Sequence, residues 1–144
     1  MNTLAETLIN RRSIRRYERE AIADEDIDLI HEAIRNTPTS YNGQQFSVID
    51  ITDQDIKLQL EALTGPETDK DLLALHEFCA DYHKIAVLAE RKGLQMPDFQ
   101  TTADGVLVGV IDASLAMMSA VAAATSLGLC TCCIGYAVPP PRLP

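Results

Sequence analysis

The segment TTADGVLVGVIDASLAMMSAVAAATSL, residues 101–127, constrains how the rest of this chain is arranged. It reads as one long helix, nearly apolar all round, and such a helix is buried in a core or at a subunit interface. A membrane-spanning reading conflicts with Asp112 at mid-span and with the remainder, which reads as a soluble packing partner. Small residues recur along it, and Gly105 and Gly109 would let another helix approach closely. A buried carboxylate requires a partner, so Asp112 is expected to cap or bridge rather than to catalyse.

Working outward, Gly128 ends the helix, and residues 130–134 then read as a short buried strand. Upstream, residues 82–92 look helical with Gly93 as the stop, and 77–82 reads as a strand. Asp53 caps a helix running through Leu63, with Gly65 at its end, and 46–51 reads as another strand. Ile27, Ile30, Ala33 and Ile34 recur at helical spacing after the acidic Asp24, Glu25 and Asp26, which suit a helix N-terminus. That helix ends near Asn36 because Pro38 disfavours helix at Thr37. Thr3-Leu4-Ala5-Glu6 is a capping-box pattern that opens a first helix, ending near Arg11. The composite is an α+β domain over 1–136, with a proline-rich, extended and poorly ordered tail over 137–144.

At 144 residues, 47% apolar and 23% charged, the chain suits one globular domain. A net charge of −9 argues against a nucleic-acid or acidic-membrane partner, since both need a positive field. The N-terminus has no apolar leader, and charge begins at Glu6, so a cytoplasmic location is expected. Cys79, Cys130, Cys132 and Cys133 are expected to be reduced, buried thiols. No histidine lies near them, so no zinc framework and no metal is expected.

Against that acidic background, five of the twelve basic residues fall at Arg11, Arg12, Arg15, Arg16 and Arg19. If Arg11-Arg12-Ser13-Ile14-Arg15 is extended, Arg11, Ser13 and Arg15 point to one side. Two guanidiniums flanking a hydroxyl suit a phosphate; a solvated basic patch at a helix end is the plainer alternative. The loop Pro38-Thr39-Ser40-Tyr41-Asn42-Gly43-Gln44-Gln45 is dense in donors and acceptors. It suits the polar edge of a heterocycle, or simply a turn with capping hydroxyls. His31, His76 and His83 are scattered, and His31 reads as a solvated side chain on an amphipathic helix. The acidic run from Asp24 to Asp28 is read as helix-dipole compensation. There is no glycine-rich phosphate loop, nucleophile elbow or metal-ligand helix motif. An anion grip plus a polar loop points to a phosphate-bearing organic cofactor.

These segments, taken in order, resemble the FMN-dependent nitroreductase family, in its NADPH-linked nitroreductase and flavin-reductase branch. The similarity is carried by Arg11-Arg12-Ser13-Ile14-Arg15, by 38–46, by Leu63-Thr64-Gly65 and by Phe78-Cys79-Ala80-Asp81-Tyr82-His83. Asp112-Ala113-Ser114-Leu115-Ala116 and Ser126-Leu127-Gly128-Leu129 leading to Ile134-Gly135-Tyr136 complete it. The resemblance implies a fold with a central, mainly antiparallel sheet, helices, and the long buried helix at the interface of an intertwined homodimer. It implies FMN as cofactor, NAD(P)H as hydride donor, and a small-molecule acceptor: a nitroaromatic, quinone or flavin reduced by ping-pong transfer. Arg11, Ser13 and Arg15 would bind the phosphate and ribityl region, with Arg12 nearby. Pro38, Thr39, Ser40 and Asn42 would approach the ring system from the other subunit, and Gly135 would approach it by its backbone. No catalytic side chain is expected, because the flavin performs the chemistry. Two departures stand out. Pro66-Glu67 replaces a polar amide, and residues 137–144 replace the turn, strand, helices and late basic residues with which the family continues. The 1–136 domain is therefore expected to be incomplete. The alternatives are a truncated, weakly active or inactive remnant, or a non-catalytic flavin-binding protein.

Overall fold

The computed structural model describes residues 4–18, 20–64, 74–95 and 102–135. Expectations for Thr3, Arg19, Gly65, Pro66, Glu67, Thr101, Tyr136 and the 137–144 tail lie outside the described residues. In chain order the elements are α1 (Leu4–Asn10), α2 (Asp24–Arg35), a 3-10 turn (Ser40–Asn42) and β1 (Phe46–Ile51). Then follow α3 (Gln54–Thr64), β2 (Leu75–Ala80), α4 (His83–Arg91) and α5 (Ala103–Ser126).

Local signals set the helix ends. Asp53 Oδ1 accepts from the N–H groups of Asp55 (2.8 Å) and Ile56 (3.0 Å), capping α3. Thr102 Oγ1 accepts from Gly105 N–H at 3.0 Å and opens α5. The chain leaves α5 through Gly128, whose φ of +85° a larger residue adopts only at a cost.

One face of α5 makes the core. Ala116, Ala120 and Ala124 recur every four residues and receive Ile30 and Ile34 of α2. Phe46 and Val48 of β1 and Phe78 of β2 close the layer. The opposite face leaves Val106, Leu107, Val110, Ile111, Leu115 and Met118 exposed. By length and composition α5 could also cross a membrane. Its buried face includes Asp112, which is wholly enclosed by the rest of the chain.

β1 and β2 pair antiparallel, Phe46 opposite Ala80, Val48 opposite Phe78 and Asp50 opposite His76. Alternation puts Phe46, Val48 and Asp50 on one face with Phe78 and His76. The second strand thus lies two residues earlier than the 77–82 expected from sequence. Asp81 ends it: its N–H binds Gln45 O (3.0 Å), and its Oδ1 accepts from Lys84 N–H (3.3 Å) at the start of α4.

Three further expectations are corrected. Residues 130–134 do not form a third strand; their ladder is a single parallel bridge, Thr131 to Ser13. With so little covering the segment, Cys130 and Cys133 are exposed and Cys132 half-buried, as is Cys79, so the thiols are not core residues. Burial, with Glu77 and Asp81 adding to it, nevertheless raises the Cys79 pKa and keeps that thiol protonated. Finally, among the described residues the space beside Gly109 is taken by the Tyr82 ring rather than by a helix backbone.

Candidate functional site

The arginine–serine run follows α1. Ser13 is bridged to Thr131, and Ile14 N–H donates to Thr131 O at 3.1 Å, so the run is extended beside the segment leading to Gly135. Ser13 and Arg15 are exposed and Arg11 is half-buried. Among the described residues, neither Arg11 nor Arg15 has a carboxylate or hydrogen-bond partner for its guanidinium. Arg12 differs: its Nη1 donates to Ile9 O (3.0 Å) and Arg11 O (2.8 Å), satisfying carbonyls at the C-terminal end of α1. Gly135 is exposed, and among the described residues nothing lies within 4 Å of where a Cβ would stand.

The polar loop is held by α5. The buried Asp112 carboxylate accepts from Ser40 N–H (Oδ1, 3.1 Å) and from Gln45 N–H (Oδ2, 3.3 Å), spanning both ends of the turn. Thr37 Oγ1 and Ser119 Oγ add a bond of 2.8 Å, and Thr39 Oγ1 accepts from Gln44 N–H at 3.2 Å. Within this clamp three non-glycine residues have positive φ: Tyr41 (56°), Asn42 (53°) and Gln44 (48°). Each is a sparsely populated conformation that persists only where surrounding contacts over-determine it. The clamp leaves Pro38 and Asn42 exposed and Thr39 and Ser40 half-buried.

The sequence-predicted residues thus fall into two groups. Arg11, Ser13 and Arg15 lie along 131–135, whereas Pro38, Thr39, Ser40 and Asn42 sit over the middle of α5. No hydrogen bond or ion pair joins the groups among the described residues. An open cavity of about 830 Å³, bounded by Tyr17, Ile27, Phe78, Val121 and Ile134 among others, is lined by neither group. Asp112 is the positioning residue that sequence reading left outside the site, although a carboxylate in an apolar helix already called for a partner. A second omission is His31. It is not a solvated side chain: it converges with Asp50 and His76, as described below.

The model of the nitroreductase family matches residues 8–137. This chain belongs to the nitroreductase family. It is 39% identical over 137 residues to an FMN reductase (NAD(P)H) of Bacillus subtilis strain 168, covering 94% of this chain and 55% of that protein. It is 34% identical over 131 residues to an oxygen-insensitive NADPH nitroreductase of Salmonella typhimurium, covering 90% and 52%. The solved NfrA1 nitroreductase from B. subtilis superposes with a TM-score of 0.82 at 31% identity, covering 88% of this chain and 51% of that one. The chain therefore has the family's α+β fold and spans about half the length of the relatives it matches.

Proposed function

We propose that this chain acts as an FMN-dependent NAD(P)H oxidoreductase that reduces nitroaromatics, quinones or flavins by ping-pong hydride transfer. The observation that carries this reading is the 38–45 loop, held in unfavourable backbone conformations by a wholly buried carboxylate. Such strain, maintained by a buried clamp in a member of this family, supports reading the loop as a preorganised binding surface.

The donor set fits FMN. Two guanidiniums without a described partner, in a chain of 21 acidic and 12 basic residues, suit a phosphate better than a salt bridge. Arg11, Ser13 and Arg15 would hold the phosphate and ribityl end, with Arg12 shaping the helix end beside them. Pro38, Thr39, Ser40 and Asn42 would face the ring system, and the backbone at Gly135 would lie near its edge. When bound, the flavin supplies hydride transfer from NAD(P)H to the acceptor. The chain's own task is to bind, orient and exclude water.

The separation of the two groups within one chain supports a homodimer in which each site draws on both subunits. The exposed apolar stripe from Val106 to Met118 on α5 supports the same arrangement. The reading is of a cytoplasmic enzyme with small-molecule partners, without nucleic acid or membrane.

The test is the visible absorption spectrum of the purified protein, with any released cofactor identified after denaturation. Bound FMN near one per chain, followed by NADPH oxidation that depends on a quinone or nitro acceptor, is expected. A colourless protein that takes up no added FMN overturns the proposal.

A further inference from the structure

We propose that His31, Asp50 and His76 form a binding site for a divalent first-row transition ion of the zinc class. Asp50 and His76 are directly opposite on β1 and β2, and both lie on the face that carries Phe46, Val48 and Phe78 toward the core. A carboxylate and an imidazole at the end of an otherwise apolar face are a local inconsistency. α2 resolves it: Ile30 and Ile34 enter the core, and the side chain between them in sequence, His31, reaches the rim of the sheet.

The geometry is that of ligands already gathered. His76 Nδ1 lies 2.5 Å from Asp50 Oδ1, and His31 Nε2 lies 3.0 Å from Asp50 Oδ2. The two rings meet edge to face with centroids 5.7 Å apart. All three ligand atoms lie within 4.8 Å of one another. Bonds of about 2.0–2.2 Å to a tetrahedral zinc place ligand atoms about 3.3 Å apart, so small torsional shifts suffice. His31 Nε2 is a buried atom that faces the Asp50 carboxylate at 3.0 Å.

The donor types select the ion. Two neutral imidazoles and one carboxylate suit zinc, cobalt, nickel or copper rather than magnesium or calcium. Three protein ligands leave a position for water, and Asp50, 42% exposed, provides the entry. On binding, any proton shared between His76 and Asp50 leaves to solvent. All three residues stand on helix or strand rather than loop, which favours a fixed geometry. Among the described residues no other group of three His, Cys, Asp or Glu side chains converges in this way. The proposal is independent of the flavin reading.

The test uses the full chain without an affinity tag, titrated with zinc sulfate by calorimetry and with cobalt chloride by visible absorption and proton NMR. The expected result is one ion per chain, tetrahedral cobalt bands, and paramagnetic broadening of the His31 and His76 ring signals. Those of His83, exposed and lying beyond the far end of β2 from His76, should stay sharp. Losing a first ligand should cost at least the roughly 10–100-fold typical of outer-shell changes, so H31Q, D50N and H76Q should each weaken zinc by about that factor or more. Substituting Cys130, Cys132 and Cys133 together by Ser should leave it unchanged. No binding at millimolar zinc, equal broadening of all three histidines, or binding abolished by the cysteine substitutions would overturn the proposal. The NMR readout needs no variant, so a substitution that fails to fold leaves the test intact.

Discussion

Tyr82 and Gly109 share one space: the tyrosine hydroxyl accepts a hydrogen bond from the Gly109 N–H, and the ring's Cζ lies 2.6 Å from where a Cβ at 109 would stand. The contact ties the residue that precedes α4 to the first half of α5. In most helix interiors alanine is better than glycine by about 1 kcal/mol. Here overpacking, about 1–3 kcal/mol, opposes that gain and is expected to win. Gly109→Ala should lower the thermal midpoint followed by circular dichroism. In a Tyr82→Ala background the same substitution should raise it. A gain in both backgrounds would show that the ring does not pack against the helix as described.

Asp112→Asn should loosen the loop without dismantling the helix. An asparagine oxygen can replace one of the two acceptors, but its amide group would face the other backbone N–H, donor against donor. The expected cost is about 1–3 kcal/mol in urea denaturation. The Ser40 and Gln45 amides should lose hydrogen-exchange protection, and FMN should bind more weakly. Unchanged exchange at both amides would dissociate the carboxylate from the loop.

Arg15→Ala and Arg12→Ala should part company. If Arg15 grips the phosphate, its removal costs one charge-assisted contact of about 1.5–3 kcal/mol. That is a weakening of FMN affinity of about tenfold to a hundredfold. Arg12 already serves the carbonyls of Ile9 and Arg11, so its loss should act on the stability of α1 more than on FMN. Equal effects of the two substitutions on FMN titrations would refute this division of labour.

Acid should find Asp81. The Ser47 hydroxyl donates to its Oδ2 at 2.5 Å, and this bond is the main cause that lowers its pKa below the ordinary carboxylate value. Burial opposes the shift, while the Lys84 N–H and the Lys84 charge assist it. A lowered folded pKa means that the unfolded chain takes up protons first as pH falls. The stabilisation is therefore complete above the ordinary value and is lost as pH drops through the lowered one, from about pH 5 downward. Urea midpoints measured across that range should fall less steeply in Ser47→Ala than in the parent. Parallel curves would remove Asp81 from the acid response.

The helices were legible because their signals are local. The acidic first turn and Ile spacing of α2, Asp53 before α3, and the glycines after α4 and α5 all act within a few residues. The Asp112 clamp was half legible: an isolated carboxylate in an apolar helix announces a partner, but only the fold says that the partner is a loop some seventy residues earlier. The 130–134 run misled because apolar β-branched and cysteine residues look the same whether one bridge or a full ladder receives them. The histidine cluster was hidden for a related reason. Its members lie on three elements, and only the pairing of Asp50 with His76 and the seating of α2 bring them together.

The pairing of α2 with α5 also bears on how the chain is made. Ile30 and Ile34 have their buried partners at Ala116, Ala120 and Ala124, more than eighty positions later. Until the codons for residues 116–124 have been decoded, the apolar face of α2 lacks the helix that buries it and has only the β1 and β2 side chains beside it. Chaperones that recognise exposed aliphatic side chains therefore have a window during synthesis that shuts only when the alanine stripe emerges from the exit tunnel.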